Sequence, residues 1–575
     1  MNWQKNNRLS LQKYKKYRLL FIIFIISFST ALLAESGKSI IVDSAVVVCS
    51  ERLAAEAGVK ILKSGGNAID ALTTVAFSLA VTYPRAGNIG GGGFIVFRKS
   101  DGQVVTLDFR ETAPISATKD MFLDGQGNPI EDKSLIGALA MGVPGTVRGL
   151  FYAQKKYGNI SWNEVLQPAI QLARNGFAVR KYLLKSLEVK EENLRKFVET
   201  RKIFFPNGEL PKEGETFFQP ELANALEEIS LHGDSVFYEG KIADRIVATV
   251  QKYGGILSKK DFINYKVIPR EPVVINYRGY TIYSMPPPSS GGLVLKGIFN
   301  TLQQVDLTNK YDHLSADYIA FITEIEKHWY ANRNLYLGDP DFVKIPIEIF
   351  SSPEKAKDIL NTVSIYHPFP SNKMSEFNQI IKEKDETTHI SILDADGNAV
   401  AMTYTLNGSF GSSLVADGTG ILLNNEMDDF TVKPGSPNLY GLVQGKANAI
   451  EPGKRMLSSM TPTIVEKDGG VVGILGTPGG SQIITSVLQI LLDKIDYEMS
   501  LDNAMNAGRF HHQWLPDSIY YERSKFSKST LSELTARGFN LKGVNEIGDI
   551  QAIWKYNSKW SGCSDYNGNG IAVGY

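Results

Sequence analysis

Apolar residues recur at helical spacing over residues 50–81, interrupted by Gly65-Gly66-Asn67, which predicts two helical runs opening at Ser50 as N-cap. Phe94-Ile95-Val96-Phe97 and, beyond an Asp101-Gly102 turn, residues 104–109 read as a buried hairpin. Residues 150–265 alternate helical patterns with polar turns, and the charged amphipathic stretch 181–202 reads as a solvated helix face. Pro286-Pro287-Pro288-Ser289-Ser290-Gly291-Gly292 marks a short rigid loop, because an apolar stretch resumes at Leu293. Further on, Thr388, Ile390 and Ile392 alternate with His389 and Ser391, Asp396-Gly397-Asn398 supplies a turn, and residues 399–406 form a return strand.

Residues 366–386 break this pattern. They open on Tyr366-His367-Pro368-Phe369-Pro370, close on Lys382-Glu383-Lys384-Asp385-Glu386, and are expected to be exposed and mobile. A charged segment that stops at a threonine opening a buried strand has the form of a cleavage site with a functional new terminus.

Composition narrows the picture. With 43% hydrophobic and 21% charged residues among 575, the chain can bury a large core without metals or disulfides, either as several domains or as one interleaved unit. Lys plus Arg and Asp plus Glu each count 61, and no basic stripe tracks a phosphate backbone, which argues against nucleic acid as partner. Cys49 and Cys563 are too few for a disulfide framework and lack zinc spacing; whether they pair stays open. Lys5, Arg8, Lys13, Lys15, Lys16 and Arg18 precede an apolar run at 19–26 and small residues at 27–34, the pattern of a secretory signal peptide cleaved near Ala31 or Ala34. The apolar run falls short of the ~20 residues that a membrane anchor needs. Losing those six cations leaves a mature chain near minus six, exported to a periplasm or beyond the cell.

Thr387 as nucleophile needs a base, and no histidine stands at a recognised spacing. The α-amino group freed by cleavage would serve, with a reference pKa of about 7.7 to 8.0. By local pattern alone, Thr387 and Thr388 are also ordinary strand threonines. Gly479-Gly480, following an apolar strand at 471–475, can aim two N–H groups at an oxyanion or form a plain tight turn. Gly90-Gly91-Gly92-Gly93 lacks the GxGxxG spacing and reads as close backbone packing, with positive φ permitted. His511-His512 reads as a packing and hydrogen-bonding pair, not a metal site.

Several motifs occur in order over much of the chain: Gly90-Gly91-Gly92-Gly93-Phe94, Asp108-Phe109-Arg110-Glu111, Pro287-Pro288-Ser289-Ser290-Gly291-Gly292, Leu337-Gly338-Asp339-Pro340-Asp341-Phe342, Thr387-Thr388-His389, Thr405-Leu406-Asn407, Asn424-Asn425-Glu426-Met427-Asp428-Asp429-Phe430, Ser458-Ser459-Met460-Thr461-Pro462 and Pro478-Gly479-Gly480-Ser481. In these the chain resembles the gamma-glutamyltransferases, bacterial type. The resemblance implies an α+β fold, a four-layer αββα sandwich of the N-terminal-nucleophile hydrolase type. It implies self-cleavage between Glu386 and Thr387 into a large subunit, 35–386, and a small subunit, 387–575, intertwined as a heterodimer in one catalytic domain.

By the same resemblance Thr387 is the nucleophile, Thr405 orients it, and Gly479 and Gly480 stabilise the oxyanion. Arg110, Ser458 and Ser459 bind the substrate α-carboxylate, Asn407, Glu426 and Asp429 its α-ammonium, and Tyr440 in a lid at 434–445 covers it; without the resemblance Arg110 reads as a structural ion pair with Glu111 or another acid. No metal or cofactor is implied. The expected substrates are glutathione and other gamma-glutamyl compounds, with water, amino acids or peptides as acceptors. Asp565-Tyr566-Asn567 replaces the family's Asp-Pro-Arg, Asn332 precedes Arg333 where aspartate is common, and Glu426 stands where many bacterial relatives have glutamine.

Three other functions are weighed against this one. A glutaryl-type cephalosporin acylase has the same fold but a substrate without the amine that Glu426 and Asp429 suit. An uncleaved exported amino-acid-binding protein has no use for Thr387, Thr405 and the glycine pair together. A Ser-His-Asp hydrolase lacks its GxSxG elbow.

Overall fold

The computed structural model describes residues 35–374, 387–439 and 441–575. The signal-peptide segment, Glu386, Tyr440 and most of the charged stretch before Thr387 lie outside them. Of that stretch, Tyr366 is exposed and Ser371 buried.

Two antiparallel sheets form the centre. The eight-stranded sheet runs, in spatial order, Glu35–Gly37, Ile571–Gly574, Val46–Cys49, Thr388–Leu393, Ala399–Thr405, Gly92–Arg98, Val104–Phe109 and Ile268–Arg270. The seven-stranded sheet runs Ser39–Val42, Lys559–Ser564, Gln551–Tyr556, Gly470–Gly476, Thr463–Lys467, Tyr280–Ser284 and Val273–Tyr277.

Side-chain alternation sorts these strands into layers. On Val46–Cys49, Val47 and Cys49 join the core beneath the outer helices, while Val46 and Val48 enter the core between the sheets with Ile464, Ile474 and Ile553. Helices Arg52–Lys63 and Ala68–Thr82 cover the first sheet. Gly291–Leu302, Ala316–Tyr336 and Gln482–Ile495 cover the second. The result is the expected four-layer αββα sandwich. Strands on both sides of residue 387 build each sheet, so the two parts of the chain share one core. Among the described residues no helix is long and apolar enough to cross a membrane.

Most sequence-predicted elements form, with instructive differences. The first helix is capped by Glu51, whose carboxylate accepts from Ala54 N at 3.1 Å, not by Ser50. The Ser50 hydroxyl instead meets Thr388 Oγ1 at 3.0 Å, against the strand that Thr387 opens. The second helix starts on an Asn67/Asp70 capping box. The stretch 181–202 splits into Lys181–Leu194 and Val198–Phe204.

None of the four glycines at 90–93 takes a positive φ, so close approach alone explains them. A Cβ on Gly91 would lie 1.9 Å from the Thr405 carbonyl oxygen and one on Gly93 2.4 Å from that of Thr403. Cys49 and Cys563 are both buried and free; they face opposite helical layers with both sheets between them, which excludes a bond.

Candidate active site

Register sets the first contact. Thr388 pairs with Tyr404 across the central hairpin, so the next pair outward is Thr387 and Thr405. The Thr387 hydroxyl donates to Thr405 Oγ1 at 3.4 Å, and Thr405 Oγ1 also accepts from Asn407 N at 2.8 Å. Asn407 takes φ +74, and its Nδ2 donates to the Asn425 carbonyl at 3.0 Å. This tight turn after the return strand holds the Thr405 hydroxyl in place beneath Thr387.

On the same face of the strand, His389 bonds Thr403 Oγ1 at 2.7 Å and Ser391 Oγ at 3.1 Å. Burial lowers its pKa to about 3, which makes it a weak base, and both ring nitrogens are turned to Thr403 and Ser391 rather than to Thr387. His511 and His512 are likewise engaged, with Thr485 and Gln513 and with Asp517. Among the described residues no cluster could hold a metal ion.

Gly476 ends a strand, Gly479 and Gly480 follow with φ of +132 and +52, and helix Gln482–Ile495 begins directly after Ser481. Sequence patterning did not reveal this helix. Its N-terminal N–H groups and dipole make the glycine pair an anion-binding corner beside Thr387, stronger than an isolated turn. Only a residue without Cβ holds these backbone conformations at little cost.

A cavity of about 310 Å³ opens beside Thr387 and is lined by Thr405, Asn407, Arg110, Arg333, Asp429, Ser458, Ser459 and Gly480. Its charged end centres on Arg110, which is fully buried. Arg110 Nη1 lies 2.7 Å from Glu426 Oε2 and 3.5 Å from Glu111 Oε2, and Nη2 donates to Asp429 Oδ2. The sequence assigns Arg110 to a substrate carboxylate and Glu426 and Asp429 to an ammonium; in the structure these groups pair with one another. Burial holds the Glu111, Glu426 and Asp429 carboxyls above their ordinary range, against the pull of the guanidinium.

Opposite charges set side by side match a ligand whose ammonium and carboxylate share one carbon. Behind them, Asp108 accepts from Arg110 N at 3.0 Å and pairs with Arg270 at 2.8 Å and Arg455 at 3.3 Å. Asp339, from the Leu337-to-Phe342 motif, accepts from Arg455 N at 2.8 Å. These motifs are braces for Arg110.

Arg333 is the site residue that sequence reasoning missed. It projects from helix Ala316–Tyr336 and donates from Nε to Ser290 Oγ at 2.9 Å, from Nη1 to Asn334 Oδ1 at 2.7 Å and from Nη2 to Ser459 Oγ at 2.9 Å. Ser290 in turn donates to the Ser458 carbonyl at 2.7 Å. Burial lowers the Arg333 pKa to about 10, leaving it charged at neutral pH. Its signal was the Pro-Pro-Ser-Ser-Gly-Gly loop, whose Ser290 it grips. Arg333→Lys keeps the charge but loses the three-way fork, so the donor KM should rise about tenfold with a smaller change in kcat, measured by steady-state kinetics.

The loop at 434–445 is stitched over this end. Leu439 N donates to Asp428 Oδ2 at 2.8 Å, Asn438 Nδ2 to Asp429 Oδ1 at 3.3 Å and Gly445 N to the Asn334 carbonyl at 2.8 Å. Leu442 lines the cavity; Tyr440, assigned to the lid by sequence, lies outside the described residues.

Comparisons with known proteins bear on the assembled site. The family model described as Gamma-glutamyltranspeptidase matches residues 54–575. The Glutathione hydrolase proenzyme of Escherichia coli (strain K12) is 48% identical over 509 residues, covering 88% of this chain and 87% of the relative. The Glutathione hydrolase proenzyme of Pseudomonas aeruginosa is 43% identical, covering 96% of this chain and 99% of the relative. Among solved structures, cephalosporin acylase from Bacillus halodurans superposes with a TM-score of 0.81 at 25% identity, covering 94% of this chain and 97% of its own. Gamma-Glutamyltranspeptidase of Helicobacter pylori superposes with a TM-score of 0.55 at 42% identity, covering 57% of this chain and 93% of its own.

Proposed function

The chain belongs to the gamma-glutamyltranspeptidase family, and from that premise we propose that it is a gamma-glutamyltransferase and glutathione hydrolase whose nucleophile is Thr387. In the precursor the Thr387 hydroxyl attacks the Glu386 carbonyl, and the amide nitrogen leaves as the Thr387 amine. Water then hydrolyses the resulting ester. The products are a large subunit ending at Glu386 and a small subunit beginning at Thr387, held together by their common sheets. The relatives' name, proenzyme, supports this processing, as does a solved Helicobacter pylori chain that spans 93% of its own length but 57% of this one.

In the mature enzyme the free Thr387 amine takes the hydroxyl proton as oxygen attacks the γ-carbonyl of glutathione. Thr405 holds the hydroxyl in line, and the Gly479 and Gly480 N–H groups receive the developing negative charge. The departing amine takes the proton back, leaving an ester on Thr387. Water hydrolyses that ester to glutamate, or an amino acid or peptide amine takes the glutamyl group. Arg110, Ser458 and Ser459 bind the α-carboxylate, and Asn407, Glu426 and Asp429 the α-ammonium, with Tyr440 in the covering loop. The N-terminal segment directs export to a periplasm or the outside. No cofactor is required.

The observation that carries this reading is the two-threonine contact at 3.4 Å between a glycine-lined helix N-terminus and a cavity ending in adjacent opposite charges. A glutaryl acylase shares all but the need for the second charge. Offered glutathione and a glutaryl amide of the same amine, the enzyme should process glutathione at least about a hundredfold faster in kcat/KM, since the glutaryl group leaves buried carboxylates without their ammonium. Comparable or faster glutaryl release would overturn the assignment in favour of the acylase.

A further inference from the structure

A cavity of about 880 Å³ lies between helix Val198–Phe204, strand Thr216–Phe217 and the start of helix Pro220–His232, and shares no lining residue with the cavity beside Thr387. Ile203, Pro206, Pro211, Phe217, Phe218 and Leu222 give it an apolar wall. Enclosure by such a wall, with a few polar groups converging on one end, is the form of a small-molecule site.

The polar end is acidic. Lys202 Nζ stands 2.8 Å from Glu221 Oε1 and 3.4 Å from Glu199 Oε1, so one ammonium is divided between two carboxylates. Glu221 Oε2 is buried and takes no hydrogen bond, and the exposed Glu215 lines the same cavity. Lys202 is the one cation among the lining residues. Burial opposes the charge on Glu221, while Lys202 and, from outside the lining, Arg245 favour it. A ligand with a protonated amine at one end would supply the donor that Glu221 Oε2 lacks, and an aromatic ring at its other end would lie against Phe217 and Phe218.

The apolar wall continues toward the active site. Phe217 stacks on Phe204 with ring centroids 5.8 Å apart, and Phe204 meets Phe410 edge-on at 5.6 Å. From the same helix as Phe204, Thr200 Oγ1 donates to the Ser413 carbonyl at 3.0 Å and accepts from Val415 N at 3.0 Å. These contacts hold the segment that begins at Asn407, in which Asn407, Phe410 and Ser413 take φ of +74, +60 and +63. Non-glycine residues keep such conformations only where their surroundings enforce them. Asn407 N is also the donor that fixes the Thr405 hydroxyl beneath Thr387.

We propose that this cavity is an effector site for a small aromatic ammonium compound, and that filling it firms helix Val198–Phe204 and the turn at 407–413, which tightens the glutamyl site. The coupling rests on Asn407 belonging to that site; the binding does not.

The test titrates N,N-dimethylphenethylamine into the active enzyme by calorimetry, a probe whose tertiary amine is protonated at neutral pH and cannot retain a glutamyl group as an amide. It should bind saturably and at least about tenfold more tightly than 2-phenylethanol, while 3-phenylpropanoate should not bind. Glu221→Gln should bring the amine down to the level of the alcohol. Phe218→Ala removes a ring that is 55% exposed, so it should spare the fold and weaken the probe about tenfold. With the probe saturating, glutamate should bind about fivefold more tightly, the low end of measured couplings, and glutamate should tighten the probe by the same factor. Phe218→Ala should bind glutamate alone as the parent does and show no enhancement at the same probe concentration.

Absence of saturable binding, equal binding of the alcohol or the carboxylate, or a Glu221→Gln variant that binds the probe like the parent overturns the site. Probe binding that leaves glutamate affinity unchanged overturns the coupling, and a probe that competes with glutamate lies in the first cavity and overturns both. An enzyme that binds the probe as expected but neither binds glutamate nor turns over glutathione fails the reading of the first cavity, and the coupling with it, while the aromatic ammonium site stands.

Discussion

Thr387→Ala should leave the chain uncleaved and release of glutamate from glutathione lower by at least about 10⁴-fold, because one oxygen performs both reactions. The residue is 5% exposed and its hydroxyl meets Thr405 Oγ1 at 3.4 Å, a contact at the weak end of hydrogen bonds. Near-parental thermal stability is therefore expected alongside the loss of activity. Thr387→Ser keeps the oxygen and should cleave and turn over more slowly, since serine lacks the methyl that restrains the side-chain torsion. Denaturing gels and a glutathione assay on the same preparations separate the two effects. A Thr387→Ala protein that still splits at this point, or still turns over, would move the nucleophile elsewhere.

Arg110→Gln should combine a loss of binding with a loss of stability. One guanidinium faces Glu111, Glu426 and Asp429 in a site with essentially no solvent, and deleting one member of such a group costs about 3 to 5 kcal/mol. The donor kcat/KM should fall about a thousandfold, because the fork for the α-carboxylate goes and no other group on these carboxyls supplies its charge. The stability deficit should depend on pH with a definite sign. Burial already holds these carboxyls above their unfolded values, so their contribution is fully present in acid and is lost as pH rises. Without Arg110 they rise further. The deficit is therefore smallest in acid, where all are protonated in both proteins, and widens toward alkaline pH. Urea unfolding at several pH values reads it; a deficit that is flat with pH would mean the carboxylates do not depend on Arg110.

The strands around the site were legible where burial on both faces leaves near-continuous apolar runs, as in Gly92–Arg98 and Ala399–Thr405, whereas Val46–Cys49 and the C-terminal strands were not read. The central hairpin was legible from its turn, where Asp394 Oδ1 accepts from Asn398 N at 2.9 Å and Gly397 takes φ +85. What pattern could not convey is contact between distant segments. Ser50 reads as a helix cap by position, yet its hydroxyl is drawn to Thr388, 338 residues away, and Glu51 takes over the cap. Arg110 reads by its residues as an ion pair with Glu111 or another acid and by resemblance as a ligand for substrate; the fold adds that Glu426 and Asp429 are the acids closest to it. Arg333 was marked in sequence only by the Asn332 before it and carried no role, since a long buried helix with an arginine looks the same whether the arginine braces a loop or faces a ligand. The glycine pair was recognised as a possible oxyanion corner, but the helix behind it that makes it one was not. The cavity beside Thr387 draws on residues 110, 333, 405, 429, 459 and 480, a set no spacing rule joins.

The most direct measurement is the intact mass of the purified protein under denaturing conditions, taken from the same sample whose glutathione turnover has just been recorded. Two polypeptides are expected, the smaller one beginning at Thr387 with a free amine, in proportion to the activity observed. Full turnover by a single polypeptide in which residues 386 and 387 remain joined would contradict the account, because no free amine would then stand beside the hydroxyl to accept its proton.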